Sequence, residues 1–426
     1  MLLGVLFAGE RLMYYHFIGF PFIIARMVGV SAIYIESIMK RKPRDPKNSL
    51  TICAVAGGGR MEINMKILIG ADLVPTKNTA PDYVKGDIRK LFGKVCDIAK
   101  DYDRFIVNLE CALTESENRI KKFGPNIKGP IESAKTISAL GITEVALANN
   151  HVFDFGIEGL NDTIKALNAA GIPYFGIGEN DTDSRKPYFI ESKNKKIAII
   201  NVCEYEYTYA LPNRAGANLL DPFLTMQDIR AAKAASDFVI VLYHGGKEYS
   251  GYPSPRLRNL CHEMVYCGAD AVLTQHSHCI GCYEMFEGAP ILYGQGNFNF
   301  SCGSESKNYD NWYTSLLVEL DITDKIEIKF IPIYDTDVGC DIAEGEKAKE
   351  ILADFNARNA ELADGRWLDG WDRFCHWEGL APYRDIALGK SADPNKEELF
   401  AHYLDCEAHT DVWRQLFKTW NHTNEL

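Results

Sequence analysis

From Lys66 onward the chain alternates short, wholly apolar runs with longer stretches of helical spacing, and no other feature constrains its fold so tightly. Strand-like runs cover residues 66–74, 104–113, 143–150, 196–205, 237–246, 270–278 and 290–300. Helical patterns fill 131–140, 157–170, 225–235 and 256–267 between them. A run apolar at every position, such as Val145, Ala146, Leu147 and Ala148, suits a strand covered on both faces. Strand and helix in alternation predict an α/β fold with largely parallel strands. Two more runs, 315–322 and 325–334, alternate apolar and polar residues across Thr323 and Asp324. They predict a hairpin at a sheet edge or in a second sheet. Beyond residue 341 the segments 344–361, 366–378 and 396–420 have helical spacing, which predicts a helical C-terminal extension packed on the main domain or on a partner. The expected organisation is an N-terminal segment 1–64, a domain 65–340 and the extension 341–426.

At 426 residues and 46% hydrophobic, the chain is long enough for a large core. Its formal net charge of −12 opposes nucleic acid and anionic membrane alike. Twelve scattered cysteines read as reduced core thiols of a cytoplasmic protein. Residues 12–25 are uncharged, but Pro21 and Arg26 interrupt a pattern already shorter than the roughly 20 residues a spanning helix needs. Two readings stay open: membrane association through residues 12–35, or a segment outside the working protein, with Met61 or Met65 as the start.

The chemistry-bearing residues collect at the carboxyl ends of the strand runs. In order they are Asp72; Asn108 and Glu110; Asn149, Asn150 and His151; His244 and, just after it, Glu248; His276 and His278; and Asn297. Were these strands neighbours in one sheet, all would face one crevice, where α/β sheets bind ligands. Each has a plain structural alternative: Asp72 caps a turn, Asn149 and Asn150 supply turn hydrogen bonds, His244 is a satisfied core histidine. The pair His276 and His278 is harder to set aside, because residues two apart in an extended segment point the same way. Two histidines with an Asp, a Glu and an Asn make a mixed nitrogen and oxygen set suited to zinc, manganese, iron or cobalt.

The series GAD (70–72), NLE (108–110), NNHVFDFG (149–156), HGGKEY (244–249), QHSHCIGCYE (275–284) and YGQGNFNF (293–300) resembles the CapA family of poly-γ-glutamate capsule synthesis proteins. The domain of that family is similar to the calcineurin-like metallophosphatases. The resemblance implies a four-layer α-β-β-α sandwich in which two mixed sheets pack between helices. Carried over, it makes Glu110 a carboxylate that bridges two divalent metals. Asn150, His244 and His276 complete one metal site, Asp72 and His278 belong to the other, and His151 is the catalytic acid. Asn149, Glu248 and Asn297 are expected at the substrate. The chain departs from the phosphatase pattern at Val74, where a histidine is usual, so one site is a ligand short.

Two functions follow. One is a metal-dependent hydrolase, with one or two ions, cleaving an amide or phosphoester in an anionic polymer or a small molecule. A basic rim of Arg119, Lys121, Lys122, Lys128, Lys247, Arg256 and Arg258 would receive the anion. The other is a non-enzymatic member of a capsule assembly or export complex, with a degenerate site. Cys279 and Cys282 form a C-x-x-C after His278 and read as buried thiols near the site rather than a redox or zinc motif.

Overall fold

The computed structural model describes residues 64–300 and 310–417. The chain first lays down β1 (Met65–Leu73), β2 (Arg104–Leu109), β3 (Glu144–Ala146) and β4 (Tyr174–Phe175). It then builds a second sheet from β5 (Tyr188–Ser192), β6 (Lys195–Cys203), β7 (Phe238–His244), β8 (Ala271–Gln275), β9 (Ile280–Phe286) and β10 (Ala289–Gln295). Finally it returns to the first sheet through β11 (Asn297–Asn299), β12 (Thr314–Ile322), β13 (Ile326–Thr336) and β14 (Gly339–Ile342). The first sheet has the order β14-β13-β12-β1-β2-β3-β4, with β11 also paired to β1, and the second β9-β10-β8-β7-β6-β5. Both are mixed. Strands β1 to β4 are parallel, and β12 runs antiparallel to β1 with Ile67 opposite Leu320. In the second sheet β6, β7, β8 and β10 are parallel, flanked by the antiparallel β5 and β9.

Alternate residues on each strand enter different cores, which makes four layers. Ile67, Ile69 and Ile106 of the first sheet pack against Ile199, Ile240, Leu242 and Leu273 of the second. Their neighbours Leu68, Val107 and Val145 face Ile137, Leu160 and Leu167 of the helices Ser133–Leu140 and Gly156–Ala169. On the far side Val239, Val241 and Val272 face Ile229, Leu260 and Met264 of Pro222–Ala235 and Pro255–Tyr266. Every central strand is therefore covered on both faces, which is why the apolar runs are continuous. The α-β-β-α sandwich expected from the resemblance is the observed architecture.

Three local expectations change. The hairpin does not end the sheet: β12 sits against β1, and β14 forms that edge. The run 143–150 leaves the ladder after Ala146, and the side chain of Asn201 on β6 caps it by accepting from the Ala148 backbone N–H at 2.8 Å. The polar strand ends also belong to two sheets, not one, and meet because the sheets are packed face to face. Chain crossing between them at Gly296 requires a positive φ of 84°, and a Cβ there would approach Ser315 to 2.5 Å.

Beyond residue 341 the chain is helical: Gly345–Asp364, Trp367–Phe374, Leu380–Ala387, Lys396–Asp405 and Glu407–Phe417. Leu362 and Trp367 join the core of the second sheet's outer helices, so this segment packs on the same body. Among the described residues no helix is long and apolar enough to cross a membrane. The expectations for residues 1–60 lie outside the described residues.

One half-buried carboxyl has a pH signature. Asp335 on β13 faces Cys340 of β14, its Oδ2 is buried without a hydrogen-bond partner among the described residues, and burial pushes the carboxyl up to about 7. A folded pKa above the unfolded value of about 3.9 leaves stability intact below pH 4 and removes it as pH rises through 7. The thermal midpoint should accordingly fall between pH 4 and 8, and Asp335→Asn should flatten that slope and be the more stable protein at pH 8. Parallel pH profiles of the two proteins would exclude Asp335 as the source.

Candidate metal centre

Strand register places the first carboxylate. Asp72, near the end of β1, lies opposite Asn108 of β2 and Asn297 of β11. The Asn108 amide donates to its Oδ1 at 2.7 Å, and the His276 backbone N–H donates to Oδ2 at 3.0 Å. Glu110 follows the end of β2 and is wholly buried, yet neither carboxylate oxygen accepts a hydrogen bond among the described residues. A sealed carboxylate with no donor is costly unless positive charge lies close.

His244 supplies that charge. His244 ends β7, and its Nε2 stands 3.2 Å from Glu110 Oε1, 3.0 Å from Asn150 Oδ1 and 3.1 Å from His276 Nδ1. Its Nδ1 lies 3.6 Å from Asp72 Oδ1. His278 flanks the other side, 3.7 Å from Asp72 Oδ2 through Nδ1 and 4.0 Å from Glu110 Oε1 through Nε2. Burial opposes a charge on His244, but Glu110 and Asp72 overcome it and raise its pKa to about 10. His276, buried beside His244 and His278, is held well below the usual imidazole value. The protein thus concentrates negative potential at one point and surrounds it with nitrogen and oxygen donors. These residues fit a divalent ion, on the evidence of the orphaned Glu110 oxygens and the donor set itself.

His276 and His278 converge for a reason other than strand alternation. β8 ends at Gln275, and both histidines take the left-handed backbone region, with φ of 86° and 54°. Such strain persists only where the surroundings over-determine it. Val74, the departure noted in the sequence, is fully buried in the apolar core and offers no donor.

His151 sits beside the cluster, not in it. Its Nδ1 lies 2.7 Å from Asp154 Oδ2, and Asp154 Oδ1 pairs with Lys122 Nζ at 2.5 Å, a buried arrangement. Lys122 also donates to the Asn150 carbonyl at 3.2 Å. The ring lines a cavity of about 280 Å³ with Asn150, Glu206, Lys247, Glu248 and His276. Its far wall is the extension, through His402, Tyr403, Cys406 and His409.

Glu248 reaches this cavity. Asn149 and Asn297 are placed behind it: the Asn149 amide donates to Asn108 Oδ1 and to the Leu109 carbonyl, and Asn297 Oδ1 lies 2.8 Å from His278 Nδ1. The basic rim does not form. Lys121 pairs with Glu398, Lys122 with Asp154, Arg119 and Lys128 with Glu117, Arg256 with Asp411 and Arg258 with Glu284. Lys247 remains as a cavity cation without an ion pair among the described residues. Cys279 and Cys282 are buried free thiols pushed up by burial, to about 11 and about 12, and neither lines the cavity. Asp154 is visible in the sequence three residues after His151. The pairing of Lys122 and the wall from the extension depend on tertiary contacts that no local pattern signals.

A family model described as bacterial capsule synthesis protein PGA_cap matches residues 66–301. The chain is 31% identical over 222 residues to the capsule biosynthesis protein CapA of Bacillus anthracis, covering 50% of this chain and 54% of that one. It is 27% identical over 227 residues to the PGA biosynthesis protein CapA of Bacillus subtilis, covering 53% and 60%. The chain therefore matches little more than half the length of these relatives. Among solved structures, a 5'-nucleotidase precursor from Thermus thermophilus aligns at 13% identity with a TM-score of 0.39, over 69% of this chain and 58% of that one. With its family model spanning more than half of the sequence and all the strand ends that form the cluster, the chain belongs to the bacterial capsule synthesis protein family PGA_cap.

Proposed function

We propose that this chain is a metal-dependent hydrolase of capsule metabolism, acting on poly-γ-glutamate or a related anionic substrate at an amide or phosphoester bond. The observation that carries the reading is Glu110, sealed from water, with two oxygens that accept no hydrogen bond among the described residues, and ringed by Asp72 and three histidines. Glu110, Asn150, His244 and His276 would hold one ion, and Asp72 and His278, sharing Glu110, a second. A bound divalent ion would supply an activated water and polarise the scissile group.

The protein's own groups do the rest. Asn108 and the His276 N–H aim Asp72, and Asn297 fixes the His278 ring. Asn150 Nδ2 donates to Glu206 at 2.5 Å, which turns its Oδ1 toward His244. With His151 Nδ1 engaged by Asp154 Oδ2 at 2.7 Å and by Lys122 Nζ at 3.1 Å, Nε2 is the ring nitrogen that would deliver a proton to a leaving group. Lys122 compensates the Asp154 charge, and Lys247 offers the cavity a cation for an anionic substrate.

A second reading, a non-catalytic assembly component, is favoured by Val74, whose burial leaves the Asp72 and His278 side without a further donor. Elemental analysis of the full chain, followed by assays on poly-γ-glutamate and on a chromogenic phosphoester with zinc, manganese, iron and cobalt, separates the two. Metal-dependent cleavage that a chelator abolishes supports the hydrolase; bound metal with no turnover on either substrate supports the assembly role.

His244→Ala and His276→Ala should each lose far more metal from this cluster than His278→Ala, read by elemental analysis; equal losses would contradict the ranking. His151→Asn should keep its metal while turnover drops roughly a hundred- to ten-thousandfold. Unchanged turnover would remove His151 from the mechanism. Lys122→Met leaves Asp154 charged and buried and should cost about 3–5 kcal/mol in denaturant unfolding, with Lys122→Met/Asp154→Leu recovering part of the loss. Additive losses in that cycle would show the pair to be uncoupled.

A further inference from the structure

The extension does more than cover the cavity. Cys406 caps the helix Lys396–Asp405, with extended backbone (φ −76°, ψ 130°), and His409 lies in the first turn of Glu407–Phe417. The break between the helices brings both side chains to Glu206, which follows β6. The Cys406 thiol, a ring nitrogen of His409 and a Glu206 carboxylate oxygen all lie within 4.8 Å of one another. His402, one helical turn before Cys406, places Nε2 3.3 Å from Glu206 Oε1. Its ring stacks between Phe123 and Tyr207, with centroids 5.8 and 5.5 Å away. Tyr383 hydrogen-bonds His409 Nδ1, which leaves Nε2 as the free ring nitrogen. Such a partner fixes the tautomer of a ligating histidine.

We infer that Glu206, Cys406 and His409 form a second metal site, with His402 beside Glu206, selective for zinc or a similar borderline divalent ion and distinct from the Glu110 cluster. One thiolate, one imidazole and one carboxylate are three of the four ligands a zinc ion takes, which is the protein ligand count of an open zinc site. The charge around it calls for a cation. Glu248 lines the same cavity, and the nearby Lys122 is already committed to Asp154. Metal binding would discharge the Cys406 proton, which the thiol now directs to Glu204 Oε1 at 3.2 Å. The ion would tie the extension to the sandwich at the rim of the cavity. Its ligands are not those of the Glu110 cluster, which Glu206 meets through the Asn150 amide, and none of them requires hydrolase activity.

Cobalt distinguishes the sites, because the Glu110 cluster contains no sulfur. Cobalt(II) added in excess to the metal-free full chain should produce a thiolate-to-cobalt charge-transfer absorption whose final intensity corresponds to one cobalt per chain. Cys406→Ser should abolish that band, and His409→Ala should weaken cobalt binding at this site by about tenfold or more. His276→Ala should leave the band intact while reducing total metal, so failure of the first cluster would not mask this one. No charge-transfer band in the parent protein, or a band that persists in Cys406→Ser, would overturn the assignment.

Discussion

A carboxylate shut away from water, accepting no hydrogen bond, has to be compensated through space, and Glu110 is that carboxylate. The compensating charge comes from His244, which ends β7 in the opposite sheet with Nε2 3.2 Å from Glu110, while His276 and His278 approach from the turn after β8. Glu110 and Asp72 come from the first sheet. The electrostatics therefore require the two sheets to stay in register with each other at their carboxyl ends. Face-to-face packing of Ile67, Ile69 and Ile106 on Ile240, Leu242 and Leu273 holds that register without any polar group of its own. Apolar burial of this kind has no direction, so it supplies adhesion while the asparagines supply aim.

Those asparagines form a scaffold of their own. Asn108 touches Asp72, Asn149 touches Asn108, Asn201 caps the end of β3, and Asn297 holds His278. Each is a neutral group that donates and accepts at once, so it can bridge two charged or backbone partners without adding charge to a crowded interior. A buried network of this type stabilises only when nearly every member is satisfied. Asn108, Asn149 and Asn297 each use both ends of the amide. Glu110 stands out against them because it uses neither oxygen.

Much of this is legible in the sequence. Strands buried on both faces advertise themselves as unbroken apolar runs, so β1, β2, β6, β7, β8 and β10 can be read within a few residues. The edge strands β5 and β9 are half exposed and carry no such run, and β14 lies where the helical segment is expected to begin. The residues of the cluster are legible because donors stand at strand ends in chain order. How they converge is not: the left-handed turns at His276 and His278 come from the surrounding structure, not from any glycine at those positions. Lys122 reads as a solvated rim charge, and only tertiary packing shows its side chain buried on Asp154. Cys406 and His409 carry no signal toward Glu206, because they lie far from it along the chain and the pairing exists only once the extension folds back.

That folding back sets an order of assembly. The Glu110 cluster draws on residues between 72 and 278, whereas the cavity wall draws on 402–409, which leave the ribosome after them. Helices 396–405 and 407–417 cannot dock until both sheets exist to receive them. In the finished protein the extension is one wall of the cavity, so any opening of those two helices would widen it, and hydrogen exchange along 396–417 would report that opening separately from the stability of the sandwich.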